Sequence, residues 1–230
     1  MVQNNSKDGK SEKLCPKVIF ACKSNTCRSQ MAEAWAKEWL ALQIRQNCSG
    51  VKDRYINNGG DSELAVTPEN VYITQLKALV ASAAISTASV FDDKPDQVSC
   101  SDGYCYLTTE ADIKTVGRPR KVVKQKAIQT MRELGVEMEN IKPKTFEEVM
   151  MGLPTSAKAE KIIVMCDCKV SLDDLYQFGE SVEEWKIDAP TVAFKAGDVQ
   201  AYRRVCLDIK KEVDELMEKI FSPSEPFRIS

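Results

Sequence analysis

Along this chain, short continuous apolar runs alternate with longer segments in which apolar residues recur at helical spacing. The first apolar run, Lys17–Cys22, predicts a strand, and after a short polar loop a helix is predicted from Ser29 to Gln43. Large apolar residues recur along that helix at intervals of three and four and predict a core-facing stripe, formed by Met31, Trp35, Trp39 and Leu42. This rhythm of strand and helix indicates an α/β fold.

The same patterns predict further elements along the chain. Two more strands are predicted, at Ala84–Phe91 and at Lys161–Cys166. Between them we expect a helix over Lys121–Leu134, which Gly135 stops. A capping box, in which Thr145 is followed three residues later by Glu148, then opens a short helix. Another helix, opened by Thr67 and Pro68, is predicted from Pro68 to about Ala83.

A last helix is predicted from Asp198 to about Phe221. Apolar residues again recur every three or four positions, namely Val199, Tyr202, Cys206, Ile209, Val213, Leu216 and Ile220. Because Cys206 lies within this stripe, we interpret it as a core residue without a chemical role.

The loop from Cys22 to Arg28 joins the first strand to the first helix. Its five intervening residues can curl so that their backbone N–H groups point inward, while the helix N-terminus and the Arg28 guanidinium add positive charge. A tetrahedral oxyanion fits such a loop. The same field favours the thiolate of Cys22, which is the form that attacks phosphorus, arsenic or a disulfide. The sequence therefore predicts an oxyanion-binding nucleophilic cysteine.

Spacing alone does not carry this prediction. Cys48 and Arg54 have the same separation, but no apolar strand precedes them, and Asp53 would repel an anion. For Cys22 itself, the alternative is a buried strand-end cysteine beside a helix-capping serine.

The segment Cys22–Glu33 resembles the active-site loop and first helix of arsenate reductases on the low-molecular-weight tyrosine phosphatase fold. Ordinary phosphatases of that fold usually have proline after the serine, so Gln30 favours the arsenate reductases. The resemblance implies a four-stranded parallel sheet flanked by helices, with two insertions. It also implies an oxyanion site made of Lys23, Ser24, Asn25, Thr26, Cys27, Arg28 and Ser29.

The resemblance implies specific features at three loop positions. From the matching positions in the family, we expect Asn25 to brace the loop and the Ser29 hydroxyl to support the thiolate. Ser24 departs from the pattern, since many family members have glycine there for an unusual backbone angle.

A second apolar strand also ends in thiols, at Cys166 and Cys168. In a parallel sheet Cys166 would lie at the same carboxyl edge as Cys22. The resemblance is to the cyanobacterial type of arsenate reductase, whose reductants are glutathione and glutaredoxin rather than thioredoxin. In an extended strand, residues two apart are about 6.6–7 Å distant, so a disulfide within this pair needs Cys168 in a turn. The alternatives are two small buried side chains or half of a metal site.

The segment around Asp188 resembles the part of the family that carries the general acid. The family has aspartate directly before a proline, where this chain has Ala189. Asp188 is one residue earlier and is the candidate acid; the alternative is a surface aspartate in a turn before Pro190. The displaced acid argues against ordinary phosphatase activity, because an ester leaving group needs a proton.

Composition indicates a soluble cytoplasmic enzyme. The 230 residues are 43% hydrophobic and 29% charged, with a net charge of −2, which gives no indication of nucleic-acid binding. No apolar run reaches the roughly 18–20 residues of a membrane span. Nine cysteines are an odd number, and a catalytic thiol implies a reducing compartment. There is no histidine, and we expect neither a metal nor a tightly bound cofactor.

The predicted organisation is one catalytic domain, 17–222, between a disordered tail at 1–16 and a C-terminal tail at 223–230. The family resemblance leaves two insertions, at about 47–83 and 92–119. In the second, Asp102-Gly103 predicts a hairpin turn that could bring Cys100 and Cys105 together as a regulatory disulfide; the alternative is a reduced surface hairpin.

The function we expect is reduction of arsenate to arsenite through Cys22 and a thiol–disulfide relay, with glutathione as co-substrate and glutaredoxin, or else thioredoxin, as partner. One alternative is a tyrosine or small-molecule phosphatase, which would use Cys22 and Arg28 but neither Cys166 nor Cys168. Another is a catalytically weak module that binds an oxyanion or arsenite.

Overall fold

The computed structural model describes residues 13–48, 73, 76–85, 121–138, 142–167 and 171–221, with the backbone alone at 47 and 48. Its strands are β1 (Val18–Cys22), β2 (Val80–Ala84), β3 (Ala159–Val164) and β4 (Gly179–Glu184). They form one sheet in the order β2-β1-β3-β4, and every neighbouring pair is parallel. The predicted four-stranded parallel sheet is therefore confirmed.

The described helices are α1 (Arg28–Cys48), α2 (Gln125–Glu133), α3 (Phe146–Met150), α4 (Pro190–Lys195) and α5 (Ala201–Ile220), together with a 3₁₀ helix at Leu172–Gln177. The predicted capping box opens α3, since the Thr145 side chain accepts from the Glu148 N–H and the Glu148 carboxylate accepts in return from the Thr145 N–H. After α2 the chain turns through Gly135 at a φ of 82°, which glycine adopts without strain.

Several predicted boundaries need correction. The helix α1 runs five residues past the predicted Gln43, and α2 begins four residues after the predicted Lys121. The helix α5 begins at Ala201 rather than Asp198, so Val199 precedes it and is 69% exposed instead of lying in the core. The prediction that Cys206 is a core residue is confirmed, because its side chain is fully buried.

The second strand lies earlier than predicted. It is Val80–Ala84, so the prediction of Ala84–Phe91 was wrong, and the helix predicted up to Ala83 overlaps this strand. Alanine favours helix in isolation, but pairing with β1, from Val18 opposite Val80 to Cys22 opposite Ala84, overrides that weak preference. The Cys100–Cys105 hairpin, the insertion at 92–119 and most of the insertion at 47–83 lie outside the described residues.

The third strand ends earlier than predicted, and the fourth was not predicted. The strand β3 stops at Val164 instead of Cys166, although the Met165 N–H still donates to the Ala21 carbonyl over 2.8 Å. At the other side of β3, β4 is an edge strand with the sequence Gly-Glu-Ser-Val-Glu-Glu, whose charges hide it from a hydrophobic pattern. Charged edge strands limit pairing with other chains.

Two apolar clusters cover the two faces of the sheet. On one face Val18, Phe20, Ile163 and Met165 pack against α1, α2 and α5. On the other face β1 and β3 pack against α3 and the 3₁₀ helix, through Ile19, Ala21, Ile162, Val164, Phe146, Val149 and Leu175. The alternation follows from the two-residue repeat of strands and fixes the face on which each strand-end side chain lies.

Residues 13–16 of the predicted tail lie against the domain. The Lys13 ammonium donates to the Val149 and Met151 carbonyls over 2.7 and 2.6 Å, and Pro16 is buried. The remainder of that tail and the C-terminal tail lie outside the described residues. Among the described helices, none is long and apolar enough to cross a membrane.

Candidate active site

The candidate nucleophile lies at the carboxyl end of β1. Cys22 is the last residue of that strand and its side chain is 5% exposed. Its carbonyl accepts a hydrogen bond from the Ile85 N–H over 3.0 Å, which fixes the strand end against the end of β2. Six residues later α1 begins at Arg28, so the helix N-terminus faces the loop, as the sequence pattern predicts.

The thiol of Cys22 is in contact with one side chain of α1. Its Sγ lies 3.0 Å from the Ser29 Oγ, and Cys22 is a free cysteine. The Ser29 Oγ also accepts from the Asn25 Nδ2 over 2.8 Å, and Ser29 is fully buried. A thiolate has no proton to give, so in that state the hydroxyl must be the donor to sulfur. The Ser29 hydroxyl is thus placed to donate to a Cys22 thiolate.

Asn25 occupies the centre of the loop. It is fully buried and has a φ of 52°, a left-handed conformation that asparagine tolerates better than most residues. Its Oδ1 accepts from the Gln30 Nε2 and from the Lys144 N–H, each over 2.8 Å. Its side chain thus connects α1, the thiol-supporting Ser29 and the segment before α3. Ser24, where the family resemblance implied an unusual backbone angle, is not among the described residues with positive φ.

The other loop residues differ in exposure. Lys23 is exposed, Ser24 and Thr26 share a hydroxyl contact of 3.1 Å, and the Thr26 carbonyl accepts from the Lys124 N–H over 2.8 Å. Cys27 is buried, and burial, followed by the proximity of Cys22, raises the pKa of its thiol to about 12. Cys27 therefore stays protonated near neutral pH and is a poor nucleophile, although it belongs to the same loop.

Arg28 connects the loop to the segment that carries the candidate acid. Its Nη1 donates to the Ile187 carbonyl over 2.6 Å. Asp188 follows directly and is exposed, Ala189 is the N-cap of α4, and Pro190 is buried as the first residue of that helix. The structure thus brings the backbone beside Asp188 to the guanidinium of Arg28. Donation of a proton by Asp188 stays a prediction.

Cys166 lies just after the end of β3, the strand next to β1, but on the opposite face of the sheet from Cys22. Ala21 is opposite Val164, so Cys22 is level with Met165, and Cys166 lies one residue beyond that level and after the end of β3. It packs with the cluster that contains Val164, whereas Cys22 contacts α1 on the other face.

Cys166 is disulfide-bonded, and Cys15, Cys22, Cys27 and Cys206 are free. Its partner is therefore a cysteine whose side chain lies outside the described residues, as Cys168 does.

The sequence pattern missed a buried ionic cluster beneath the loop. Glu33 is 4% exposed, and its carboxylate is contacted by Lys37, Lys144 and the Ser82 hydroxyl. One sequence feature could have predicted this cluster: Glu33 lies one helical turn after Ser29 and therefore on the same face of α1. Within the described part of the chain, no group of three or more histidine, cysteine, aspartate or glutamate side chains could hold a metal ion.

Comparisons with known proteins give short matches. The chain is 40% identical over 40 residues to an arsenate reductase of Bacillus subtilis (strain 168), covering 17% of this chain and 29% of that protein. It is 32% identical over 68 residues to an arsenate reductase of Bacillus cereus (strain G9842), covering 30% of this chain and 49% of that protein. The chain thus spans less than half the length of these relatives. No protein-family model matches it.

Among solved structures, one described as an arsenate reductase in the phosphate binding state is similar at a TM-score of 0.46 and 20% identity. The superposition covers 89% of this chain and 98% of that chain. Both similarity values are too low to bear on function.

Proposed function

We propose that this protein is an enzyme of the arsenate reductase family and that it reduces arsenate to arsenite. The observation that carries the proposal is the free Cys22 thiol, 3.0 Å from the Ser29 hydroxyl, at the mouth of a strand–loop–helix unit with Arg28 at the helix start. A thiolate placed beside an anion-binding loop is the arrangement that attack on a tetrahedral oxyanion requires. The short matches to arsenate reductases support arsenate as the oxyanion.

The first chemical step is formation of a covalent adduct. The loop N–H groups of residues 23–29 and the Arg28 guanidinium hold arsenate, and the Cys22 thiolate forms a sulfur–arsenic bond while an arsenate oxygen leaves as water after protonation. Arsenic is still pentavalent at this stage. Asp188 is the group proposed to supply the proton.

The second step is the reduction. The Cys166 thiolate attacks the Cys22 sulfur, so a sulfur–sulfur bond forms and the electron pair of the sulfur–arsenic bond goes to arsenic, which leaves as arsenite. Two thiols are thereby oxidised by two electrons and arsenic is reduced by two. Cys168 or glutathione then attacks the disulfide and frees Cys22.

The state of the two strand ends sets what the relay requires. Cys22 is free and Cys166 is disulfide-bonded, so Cys166 must be reduced before it can attack the Cys22 sulfur. Because the two thiols lie on different faces of the sheet, the attack of Cys166 on Cys22 requires movement of the segment after Val164. The strand β3 ends at Val164, and the hydrogen bond from the Met165 N–H to the Ala21 carbonyl is kept if the movement begins after Met165.

We propose glutathione with glutaredoxin as the reductant, in preference to thioredoxin, because of the Cys-x-Cys spacing at Cys166 and Cys168. A thiolate mechanism of this kind also favours the reducing cytoplasm as the location.

A phosphatase is the second candidate, and one contact favours it. The hydrogen bond from Arg28 to the Ile187 carbonyl holds the segment of Asp188 beside the loop, where an acid for an ester leaving group would be needed. Such an enzyme would need Cys22 and Arg28 but not Cys166.

Release of arsenite from arsenate, with glutathione and glutaredoxin supplied, tests the proposal. The assay compares the parent with Cys22→Ser, Cys166→Ser and Cys15→Ser, and para-nitrophenyl phosphate hydrolysis is measured beside it. Cys15 is a free, partly exposed thiol away from both strand ends, so its variant is the matched control. We expect multiple turnovers that both Cys22→Ser and Cys166→Ser abolish and Cys15→Ser preserves.

Two other results would overturn the reductase. Ester hydrolysis lost only in Cys22→Ser, without arsenite release, would make the protein a phosphatase. Binding of arsenate or arsenite without turnover in either assay would make it a binding module.

A further inference from the structure

A buried carboxylate lies beneath the Cys22 loop and takes no part in the chemistry proposed above. The Glu33 carboxylate contacts the Lys37 ammonium at 2.5 Å and the Lys144 ammonium at 2.9 Å, and the Ser82 hydroxyl also donates to it. Burial acts to raise the pKa of Glu33, but Lys144 and then Lys37 outweigh it and hold the pKa below its usual value. Glu33 is therefore an ionised anchor inside the fold.

Lys144 joins three separate parts of the molecule. Its ammonium is held by Glu33 of α1, and its carbonyl accepts from the Ala84 N–H at the end of β2 over 2.7 Å. Its backbone N–H donates to the Asn25 Oδ1 over 2.8 Å. Because its side chain is only 24% exposed and both backbone groups are bonded, Lys144 has little freedom to move relative to the loop.

These contacts form a continuous path from the ion pair to the nucleophile. Lys144 fixes the Oδ1 of Asn25, which leaves the Nδ2 of Asn25 directed at Ser29, and the Ser29 hydroxyl lies 3.0 Å from the Cys22 Sγ. An amide whose oxygen is fixed by two donors cannot flip without losing them, since the flipped nitrogen has no acceptor role. The orientation of the Ser29 hydroxyl thus depends on the position of the Lys144 backbone.

We propose that Lys144 is a positioning residue for the Cys22 thiolate, and that the Glu33 carboxylate holds it in place. The inference rests on the proposed function only in taking Cys22 as the nucleophile. It adds to the loop a support that comes from the segment before α3 and that is held by charge rather than by the loop backbone.

The competing explanation is that Lys144 only neutralises a buried carboxylate. Lys37 offers a matched control for it, because Lys37 pairs with the same carboxylate and is 15% exposed. Lys37 lies one turn further along α1, so its pairing with Glu33 stays within one helix and does not connect the helix to the segment that fixes Asn25.

The experiment measures the rate at which iodoacetamide alkylates Cys22, as a function of pH, in fully reduced protein. Trypsin cleaves after Lys17 and Lys23, so Cys22 is recovered in a peptide without another cysteine and can be quantified by mass spectrometry. The parent is compared with Lys144→Met, Lys144→Arg and Lys37→Met, and thermal unfolding of each variant is recorded in parallel.

We expect Lys144→Met to slow alkylation of Cys22 about tenfold at neutral pH and to move its pH profile to higher pH, because the backbone that fixes Asn25 loses its ionic anchor and the support of the thiolate by Asn25 and Ser29 loosens. Lys144→Arg should recover the parent rate to within about threefold, since it keeps the charge that pairs with Glu33. Lys37→Met should leave the pH profile of Cys22 in place even where it lowers the melting temperature.

The double variant Glu33→Gln/Lys144→Met keeps the test decisive if Lys144→Met alone folds poorly. In Lys144→Met only Lys37 still balances the buried Glu33 carboxylate, and removing that carboxylate as well abolishes its desolvation cost, so the double variant should regain part of the melting temperature while Cys22 alkylation stays slow. Recovery of the rate together with stability, equal slowing by Lys37→Met, or an unchanged rate in Lys144→Met would each overturn the positioning role. Alkylation needs no arsenate, so failure of the reductase proposal is detected separately in the arsenite assay.

Discussion

The carboxyl ends of β1 and β3 are adjacent in the sheet, and in the sequence each is an apolar run followed by cysteine. At the end of β1, Cys22 is the last strand residue, is free and is contacted by the Ser29 hydroxyl. At the end of β3, the strand stops at Val164, and Cys166 lies beyond it in a disulfide. The same sequence pattern thus leads to one free thiol in contact with a helix and one cysteine in a disulfide.

The difference arises from the chain segment after each strand. After Cys22 the chain turns through Asn25 and enters a 21-residue helix, so the loop is fixed at both ends and by Lys144 from outside. After Cys166 a short 3₁₀ helix begins at Leu172. In the proposed mechanism Cys22 stays in place while Cys166 moves, and a nucleophile that stays in place benefits from a loop fixed at several points.

The largest expected effect is an all-or-none difference in labelling between the two strand ends. Iodoacetamide applied to oxidised protein should label the peptide containing Cys22 and leave Cys166 unlabelled, whereas prior reduction should expose Cys166 to the reagent. Tryptic cleavage after Lys161 and Lys169 leaves Cys166 and Cys168 in one peptide, so mass spectrometry identifies the partner.

Each outcome of this mapping has a definite meaning. A single peptide lighter by two hydrogens places the disulfide between Cys166 and Cys168, and a cross-linked pair of peptides places it with Cys48, Cys100 or Cys105. Labelling of Cys166 without reductant would contradict the contrast between the two ends.

The sequence was sufficient for the parts of the fold that depend on local pattern. The strand β1, the loop and the start of α1 follow from an apolar run, a polar loop and a helical stripe, and the capping box at Thr145 follows from its spacing. It was not sufficient for β2, whose alanine-rich run becomes a strand only because β1 pairs with it, or for β4, whose charges mask its alternation.

The candidate site shows the same division. Cys22, Arg28 and the roles of Asn25 and Ser29 could be expected from contiguous residues and from the family resemblance. The contribution of Lys144 could not, because it is 111 residues from Glu33 and 119 from Asn25 in sequence and meets them only through the packing of the segment before α3. The opposite faces of Cys22 and Cys166 likewise depend on a strand register that no local pattern specifies.

Replacing Asn25 tests whether the β1 end is held by its loop. Asn25→Ala removes buried hydrogen bonds and places alanine at a φ of 52°, so we expect a loss of about 3 kcal/mol in the free energy of unfolding. Alkylation of Cys22 should slow by about tenfold. Chemical denaturation and peptide labelling measure the two effects.

Asn25→Gly separates the causes, since glycine accepts the left-handed backbone but lacks the amide. It should recover part of the stability and leave Cys22 as slow as in Asn25→Ala. The disulfide of Cys166 should form normally in both variants. If it were lost as well, the two strand ends would not be independent.

The buried Glu33 makes the β1 end sensitive to acid. Its pKa is lowered in the folded state, so its contribution to stability is present above the unfolded value near 4.5 and is lost as the pH falls through the lower folded pKa. At pH 7, Glu33→Gln should lower the free energy of unfolding by about 3 kcal/mol, because it removes one member of a buried ion pair. The parent and the variant should converge as the pH falls below 4.5 and through the lowered folded pKa of Glu33.

Urea denaturation at a series of pH values measures this convergence. Glu160→Gln is the control, because its pair with Lys17 is exposed and worth about 0.5 kcal/mol or less. A difference between parent and Glu33→Gln that stayed constant with pH would show that charge on Glu33 does not stabilise the fold.

The smallest expected effect concerns Asp188, beside the Ile187 carbonyl that Arg28 contacts. In the proposed mechanism, attack of Cys166 on the Cys22 sulfur expels arsenite, which needs less help from one strong acid than an alkoxide or phenoxide does. Asp188→Asn should therefore lower arsenate reduction by about threefold while lowering ester hydrolysis, where that activity is present, by about 10²-fold or more. The rates of arsenite and para-nitrophenol release measure both, with Glu184→Gln, an exposed residue of β4, as the control.

The ratio of the two losses decides what the Arg28–Ile187 contact is for. Equal large losses would make Asp188 the proton donor for both reactions and would place the segment at 185–189 in the same catalytic unit as the β1 end. If neither reaction slowed, the Arg28–Ile187 hydrogen bond would serve to hold Arg28 in place for the oxyanion. The predicted inequality would mean that Asp188 matters mainly for an alkoxide or phenoxide leaving group, which arsenate reduction does not produce.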